Sequence, residues 1–202
     1  MRIIEPEWLD SLPPADPRAE HARSDLRRVN RIMGNARQIA SALRPHWREG
    51  MRIADLGAGD GSLTEAVQRR LPGKVQAILV DRIHGLDVLD FLRESEPRLD
   101  AIICNLFLHH LDGHLLSEVL ALAAGRAPLF VACEPRRGRI ALQASRMLWV
   151  LGANDVTRHD AVVSVRAGFT GQELSAVWPP GKFQLQERLA WPFTHFFCAR
   201  EG

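Results

Sequence analysis

The sequence contains no tyrosine, only two lysines (Lys74 and Lys182) among 26 basic side chains, and three cysteines. Without tyrosine, proton transfer near neutral pH falls to histidine, of which there are eight. The scarcity of lysine reads first as the mark of a GC-rich genome, although arginine also suits recognition of carboxylate or phosphate. A formal net charge of +2 provides no global basic field for nucleic acid. Cys104, Cys133 and Cys198 are an odd number in apolar, strand-like contexts, which predicts reduced, buried thiols. No apolar run approaches the length of a membrane span. The first residues turn acidic at Glu5, so no secretory signal is expected and the protein is expected to be cytoplasmic. A length of 202 residues fits one well-packed core.

What is present is organised around Met51–Leu63. Ile53 to Leu56 is an apolar run broken only by Asp55, the pattern of a buried parallel strand. Gly57, Gly59 and Gly61 follow at alternate positions. Ser62-Leu-Thr-Glu65 then has capping-box spacing, with Ser62 as the expected N-cap of a helix. Strand, glycine turn and helix start make a place where a ligand can approach backbone N–H groups closely. The spacing differs from the dinucleotide fingerprint G-x-G-x-x-G, which disfavours a nicotinamide oxidoreductase. With Asp55 two residues before the first glycine, the segment resembles motif I, D-x-G-x-G-x-G, of the class I S-adenosylmethionine-dependent methyltransferases. The resemblance implies that Gly57, Gly59 and Gly61 cradle the methionine part of S-adenosylmethionine, with Asp55 near its amino group.

Upstream, residues 1–15 look irregular, with Pro13 and Pro14 opposing a helix. Asp16-Pro17 predicts a helix start, and Gly34 a helix end after Met33. Asn35 is expected to cap a second helix through Leu43, stopped by Pro45. Arg23, Arg27, Arg28 and Arg31 on the first helix are either a solvated face or, with Asn30, part of a lid over an active site. Downstream, Val75–Val80 reads as a strand. Asp81 at its end stands where an acid binds ribose hydroxyls in nucleotide-binding α/β folds. The stretch from Asp81 to Asp90 is compact. A helix and most of a third strand that the methyltransferase pattern places here are shortened or missing. Asp87 and Val88 are then expected at the adenine, with Asp90 capping a helix through Glu96.

Leu99–Cys104 and Pro128–Cys133 read as further strands, the second running into Glu134, and Asp112 as the cap of a helix ending at Gly125. Asn105 is a candidate polar contact to the cofactor. Adjacent His109 and His110 can face one site only if the backbone turns sharply, so one of them is expected to be structural. They lack the i, i+4 spacing of a helical zinc pair, and no metal is expected. Ile140–Leu151 is strongly apolar and reads first as a core helix, second as a flexible wall over a substrate. Arg158, His159, Asp160 and Arg166 form a polar cluster, read as a surface loop or, through Arg158, His159 or Arg166, as a substrate contact. Thr170-Gly-Gln-Glu173 is a second capping box, opening a helix to about Trp178. Phe183–Leu189 and Thr194–Arg200 make a closing antiparallel pair.

The expected fold is α/β, Rossmann-like, with a mostly parallel sheet and an antiparallel last strand. A helical cap over residues 1–50 precedes a core domain over 51–202, with a substrate-side insertion at 136–169. The arginine-rich helix narrows the resemblance to small-molecule methyltransferases of bacterial secondary metabolism. That implies O-methylation of a small, largely apolar acceptor, phenolic or polyketide-like. His110, His109 and His159 are the candidate bases. Arg27, Asn30, Met33, Arg158 and Arg166 are the candidate acceptor contacts. Nucleic acid is not an expected partner, and a homodimer is allowed for. The alternative is a non-catalytic S-adenosylmethionine-binding scaffold.

Overall fold

A computed structural model describes residues 1–13 and 15–202, so Pro14 lies outside the described residues. The strands are β1 (Arg52–Leu56), β2 (Gln76–Val80), β3 (Ala101–Asn105), β4 (Leu129–Pro135), β5 (Phe183–Ala190) and β6 (Thr194–Glu201). They form one sheet in the order β2-β1-β3-β4-β6-β5. The first four are parallel, and β6 runs antiparallel to both β4 and β5.

Side chains alternate across this sheet with period two. Ala54, Leu56, Ile102, Cys104, Phe130 and Phe197 face one core. Ile53, Ala101, Ile103, Val131, Cys133 and Phe196 face the other. Helices cover both faces, which is why β3 and β4 are buried throughout. On the first face lie α5 (Val88–Arg93), α6 (Gly113–Arg126) and α9 (Glu173–Val177). Leu116, Val119, Leu120 and Ala123 give α6 an apolar stripe at i, i+3, i+4 and i+7. On the second face lie α3 (Asn35–Leu43) and α4 (Ser62–Gln68).

The shortened region after β2 is as expected: a 3₁₀ turn at Arg82–His84 and the short α5 lead directly to β3. Among the described residues no strand lies outside β2, which is therefore a sheet edge and half exposed.

Several local expectations are corrected. Gly61, not Ser62, is the N-cap of α4; it is left-handed at φ 75°, and the side-chain acceptor at that end is Asp60, which takes the Ser62 N–H at 3.1 Å. Gly34 ends α2 (Pro17–Met33) and also precedes α3, so Asn35 is the first helical residue and its side chain turns inward. Asp87, not Asp90, caps α5, which ends at Arg93. The N-terminal stretch contains a short helix, α1 (Trp8–Ser11). The polar cluster beyond Asn154 is no loop but α8 (Asp155–Ala167), with the Asn154 side chain accepting from the Thr157 N–H. The apolar run from Ile140 is α7 (Arg139–Arg146) and a 3₁₀ turn (Leu148–Leu151), and only Ala141 and Ser145 on one side are buried: Ile140, Met147, Trp149 and Val150 are all more than half exposed. The second capping box is half present. Glu173 accepts from the Thr170 N–H, but the helix begins only at Glu173. No helix among the described residues is long and apolar enough to cross a membrane.

Candidate active site

The glycine turn follows β1, with Gly57, Gly59 and Gly61 all left-handed at φ 70°, 54° and 75°. Two of them matter for different reasons. A Cβ on Gly57 would stand 2.6 Å from the Phe107 ring, so this glycine admits the chain after β3. A Cβ on Gly59 would meet nothing within 4 Å, so this glycine faces open space. The Gly59 N–H donates to Asp81 Oδ2 at 2.9 Å, while Asp81 Oδ1 accepts from the Ile83 N–H at 3.0 Å. The carboxylate at the end of β2 is thus fixed against the loop and remains partly accessible. Asp87 is exposed at the N-cap of α5 and Val88 half-buried at its first position, and the intervening turn is closed by the Leu86 N–H donating to the Asp81 carbonyl at 3.1 Å.

Asp55 on β1 is buried at 1% exposure. Its Oδ2 accepts a short hydrogen bond from the Thr64 hydroxyl, and its Oδ1 has no partner. Burial, helped by the charge of Asp81, pushes its pKa up to about 7. A buried acceptor with nothing donating to it is costly unless a cationic or N–H donor reaches it.

At the tip of β3, Asn105 Nδ2 donates to Asn30 Oδ1 at 3.1 Å and Asn105 Oδ1 accepts from Asn35 Nδ2 at 2.7 Å. Asn35 Oδ1 in turn accepts from the Thr194 hydroxyl at 2.6 Å. This buried polar ladder joins α2 and α3 to β3 and β6. The next residue, Leu106, has φ 54°, unusual for a branched side chain, and lines a cavity of about 380 Å³.

The cavity lies between α2, α7, α8 and the N-terminal segment. Its wall is mainly apolar: Leu26, Val29 and Met33 come from α2, Ala141 and Ala144 from α7, and Phe193 from the turn before β6. Few polar groups reach it, among them Glu7, Asp160 and Ser164. A mostly apolar concavity with a few placed polar groups is the usual form of a small-molecule site. The same helix that walls the cavity touches the glycine turn, since Arg27 pairs with Asp60 at 2.7 Å.

Behind Glu7, which lines the cavity, lies a strongly polar cluster whose histidines do not themselves line it. Leu108–His110 form a 3₁₀ turn, which is the sharp bend the adjacent histidines require. Both rings come to the same carboxylate: His109 Nε2 is 3.4 Å and His110 Nε2 3.9 Å from Glu7 Oε1. The buried His109 is the more deeply embedded of the two, and His110 is the more accessible. His109 Nδ1 lies 2.8 Å from Glu134 Oε2, and Glu134 also accepts from the backbone N–H groups of Phe107, Leu108 and His109. Burial alone would lower the pKa of His109, but the bonds to Glu134 and Glu7 outweigh it and raise it to about 9. His110 is held below its ordinary value by burial and by the neighbouring His109 charge. Glu7 is half-buried, yet hydrogen bonds from His109 and Ser164 and the histidine charges keep its carboxyl below the usual range.

The remaining predicted residues are placed elsewhere. His159 stacks on Trp8, with ring centroids 3.9 Å apart, and its Nδ1 lies 2.9 Å from Asp160. Arg158 is exposed, and Arg166 pairs with Glu5 at 3.6 Å. None of these three lines the cavity, nor do Arg27 and Asn30, whereas Met33 does. Sequence reasoning missed Glu7 and Asp160. Glu7 sits in a stretch without periodicity and gave no signal. Asp160 accepts from the N–H groups of Trp8 and Leu9, holding α1 from 152 and 151 residues away, a relation no local pattern carries. Glu134 did leave a signal, as an acid ending an apolar strand.

No protein-family model matches the sequence, and no curated relative matches it. Solved structures do match. An O-methyltransferase family protein from Burkholderia thailandensis has a TM-score of 0.60 at 19% identity, covering 93% of this chain and 61% of its own. The fold is that of the class I methyltransferases. The plantazolicin methyltransferase BamL, solved with a triazolic desmethylplantazolicin analogue and S-adenosylhomocysteine, has a TM-score of 0.67 at 9% identity and is covered over 92% of its length. Human N-acetylserotonin methyltransferase, solved with S-adenosylmethionine, has a TM-score of 0.55 at 16% identity and is covered over 61%. The chain thus spans about three-fifths of the Burkholderia and human proteins and nearly all of the plantazolicin methyltransferase. At these identities the likeness fixes the methyltransferase fold and nothing finer.

Proposed function

We propose that the protein transfers the methyl group of S-adenosylmethionine to a small, largely apolar acceptor held in the cavity, with oxygen as the accepting atom. The observation that carries this reading is the meeting, around Asn105 and Leu106, of an open glycine turn and an apolar cavity spanned by one helix, α2. The residues present fit the cofactor. Gly59 leaves room against the backbone, the orphaned Asp55 Oδ1 suits an ammonium, and Asp81 keeps accessible carboxylate for ribose hydroxyls. Asp87 and Val88 remain the candidates for the adenine side, and Asn105 for the methionine side. When bound, the cofactor supplies an electrophilic methyl group on a sulfonium.

The protein's own part is then positioning and exclusion of water. Leu26, Val29, Met33 and the α7 side chains surround the acceptor, and the Arg27–Asp60 pair ties the cavity helix to the cofactor turn. Glu7 is the polar corner where the reacting oxygen is held, and His110 beside it, kept neutral by burial and by His109, is the candidate to receive the proton. His159 serves instead to anchor Trp8. Residues 1–50 act as a cap that completes the cavity, with 136–169 as the opposing wall. The plantazolicin methyltransferase was solved with a natural-product analogue, which supports an acceptor of that general kind; a phenolic or polyketide-like molecule is our own proposal.

The test is twofold. Calorimetry with S-adenosylhomocysteine reports the cofactor half, and Asp81→Ala should weaken binding by about 2–3 kcal/mol through lost charge-assisted hydrogen bonds. Labelled methyl transfer to a panel of small phenols reports the acceptor half. Tight cofactor binding with no transfer to any hydroxyl, amine or carbon acceptor leaves the non-catalytic scaffold as the better reading. No cofactor binding at all removes both.

A further inference from the structure

We propose that Glu7, His109 and His110 form a binding site for a single divalent transition-metal ion beside the cavity, which Glu7 lines. The three ligand atoms available, Glu7 Oε1 and one ring nitrogen of each histidine, lie within 4.8 Å of one another. The two distances from Glu7 Oε1 are 3.4 Å and 3.9 Å. Ligand atoms at about 2.0–2.1 Å from a tetrahedral zinc are roughly 3.3 Å apart, so closing the triangle needs only side-chain adjustment.

The supporting shell is already built. His109 donates its Nδ1–H to Glu134, which fixes the ring, so a metal would replace the proton that Nε2 now shares with Glu7, the carboxylate–histidine arrangement that orients metal-bound imidazoles. Glu134 is fully buried and held by three backbone N–H groups, so it cannot swing away. Glu7 is oriented by the Ser164 hydroxyl. Asp10 Oδ2, 3.8 Å from His110 Nδ1, is a further carboxylate beside the cluster, although it faces His110's other nitrogen. Two imidazoles and one carboxylate suit zinc, cobalt or iron(II) better than the hard ions magnesium and calcium, which take oxygen ligands.

The placement gives the ion a use. Three protein ligands leave at least one position open. Glu7 lines the cavity, so a ligand in that position comes from the cavity side. An acceptor hydroxyl bound there would lose its proton more readily, and this consequence rests on the cavity being the acceptor's site. The metal site itself does not rest on that reading.

The experiment measures the metal directly, with no cofactor or acceptor present. Purified full-length protein is stripped with chelator, then titrated with Co²⁺ and separately with Zn²⁺, and bound metal is counted by elemental analysis. The expected result is one Co²⁺ per chain with visible absorption bands of a four- or five-coordinate ion, displaced by Zn²⁺. Glu7→Gln and His110→Ala should each weaken binding at least tenfold while far-ultraviolet circular dichroism stays unchanged. His110 is on the rim of the cluster, so its loss spares the core even if a His109 variant fails to fold. Wild type binding no more metal than Glu7→Gln, or Co²⁺ spectra of an ordinary six-coordinate aquo type in both, overturns the site and leaves the cluster as an ion-paired relay. Methyl transfer by a fully stripped protein at the full rate would leave the site without a catalytic part, and binding data alone decide whether the site exists.

Discussion

At the scale of single residues, Asp55 makes the sharpest prediction. Its pKa is raised to about 7 in the folded protein by burial, against an ordinary carboxyl near 4 in the unfolded chain. Between those values the folded state holds a proton that the unfolded state has lost. Stability therefore falls as pH rises from about 4 to about 7 and is level above that. Asp55→Asn removes this slope, so its melting temperature should exceed that of wild type by an amount that grows up to pH 7; a constant difference across that range would contradict the assignment. A ligand ammonium at Oδ1 reverses the balance, because it favours the charged carboxylate. S-adenosylhomocysteine should accordingly bind wild type more tightly at pH 7 than at pH 5, and lose that dependence in Asp55→Asn. The glycines separate in the same way. Gly59→Ala meets no atom and carries only the left-handed penalty of about 1–2 kcal/mol, so it should fold and fail to bind the cofactor. Gly57→Ala drives a Cβ into Phe107 and should show its loss first in the thermal melt.

At the scale of elements, legibility followed the range of the forces involved. Asp16, Pro17 and Gly34 bound α2 as the sequence says, because N-cap, first-turn proline and left-handed glycine act within a few residues. Ser62 and Asn35 misled for one reason: in each case a left-handed glycine just before takes the cap position. The apolar run from Ile140 looked like core because composition does not say what a helix packs against. Here its partner is a cavity, and the outer face stays exposed. α8 was hidden because its buried Asp160 and Thr157 answer distant elements, Asp160 holding α1 and Thr157 donating to Asp25 on α2. Of the candidate site, the glycine turn and Asp81 were legible from motif spacing, whereas Glu7 depends wholly on tertiary folding. One test belongs here. Ala144→Phe on α7 projects a ring into the cavity, so it should lower turnover with the acceptor by tenfold or more. Cofactor affinity should stay near wild type and melting temperature should not fall, since the ring fills space rather than displacing packed atoms. An equal drop in both affinities would mean that the cavity is not a separate acceptor compartment.

At the scale of the whole molecule, the chain returns on itself to build the cavity. Arg2 donates to the carbonyls of Ala167, Leu108, His109 and Leu111, and Ile3 N–H donates to Arg166 O. Arg2→Ala strands several acceptors behind the site and should cost roughly 1–3 kcal/mol, read as a lower denaturant midpoint. Deleting residues 1–34 should leave amide protection in β1, β3 and β4 while α8 exchanges freely, because Asp25 no longer holds its first turn. These clasps join positions up to 165 residues apart. Synthesis runs in one direction, so the N-terminal strap leaves the ribosome long before α8 exists to receive it. Until then Trp8 lacks the His159 ring on which it stacks, and the motif I turn can form beside a cavity with only one wall. The polar corner at Glu7 thus waits for α8, and strands β1 to β4 stand for a time without the site they carry.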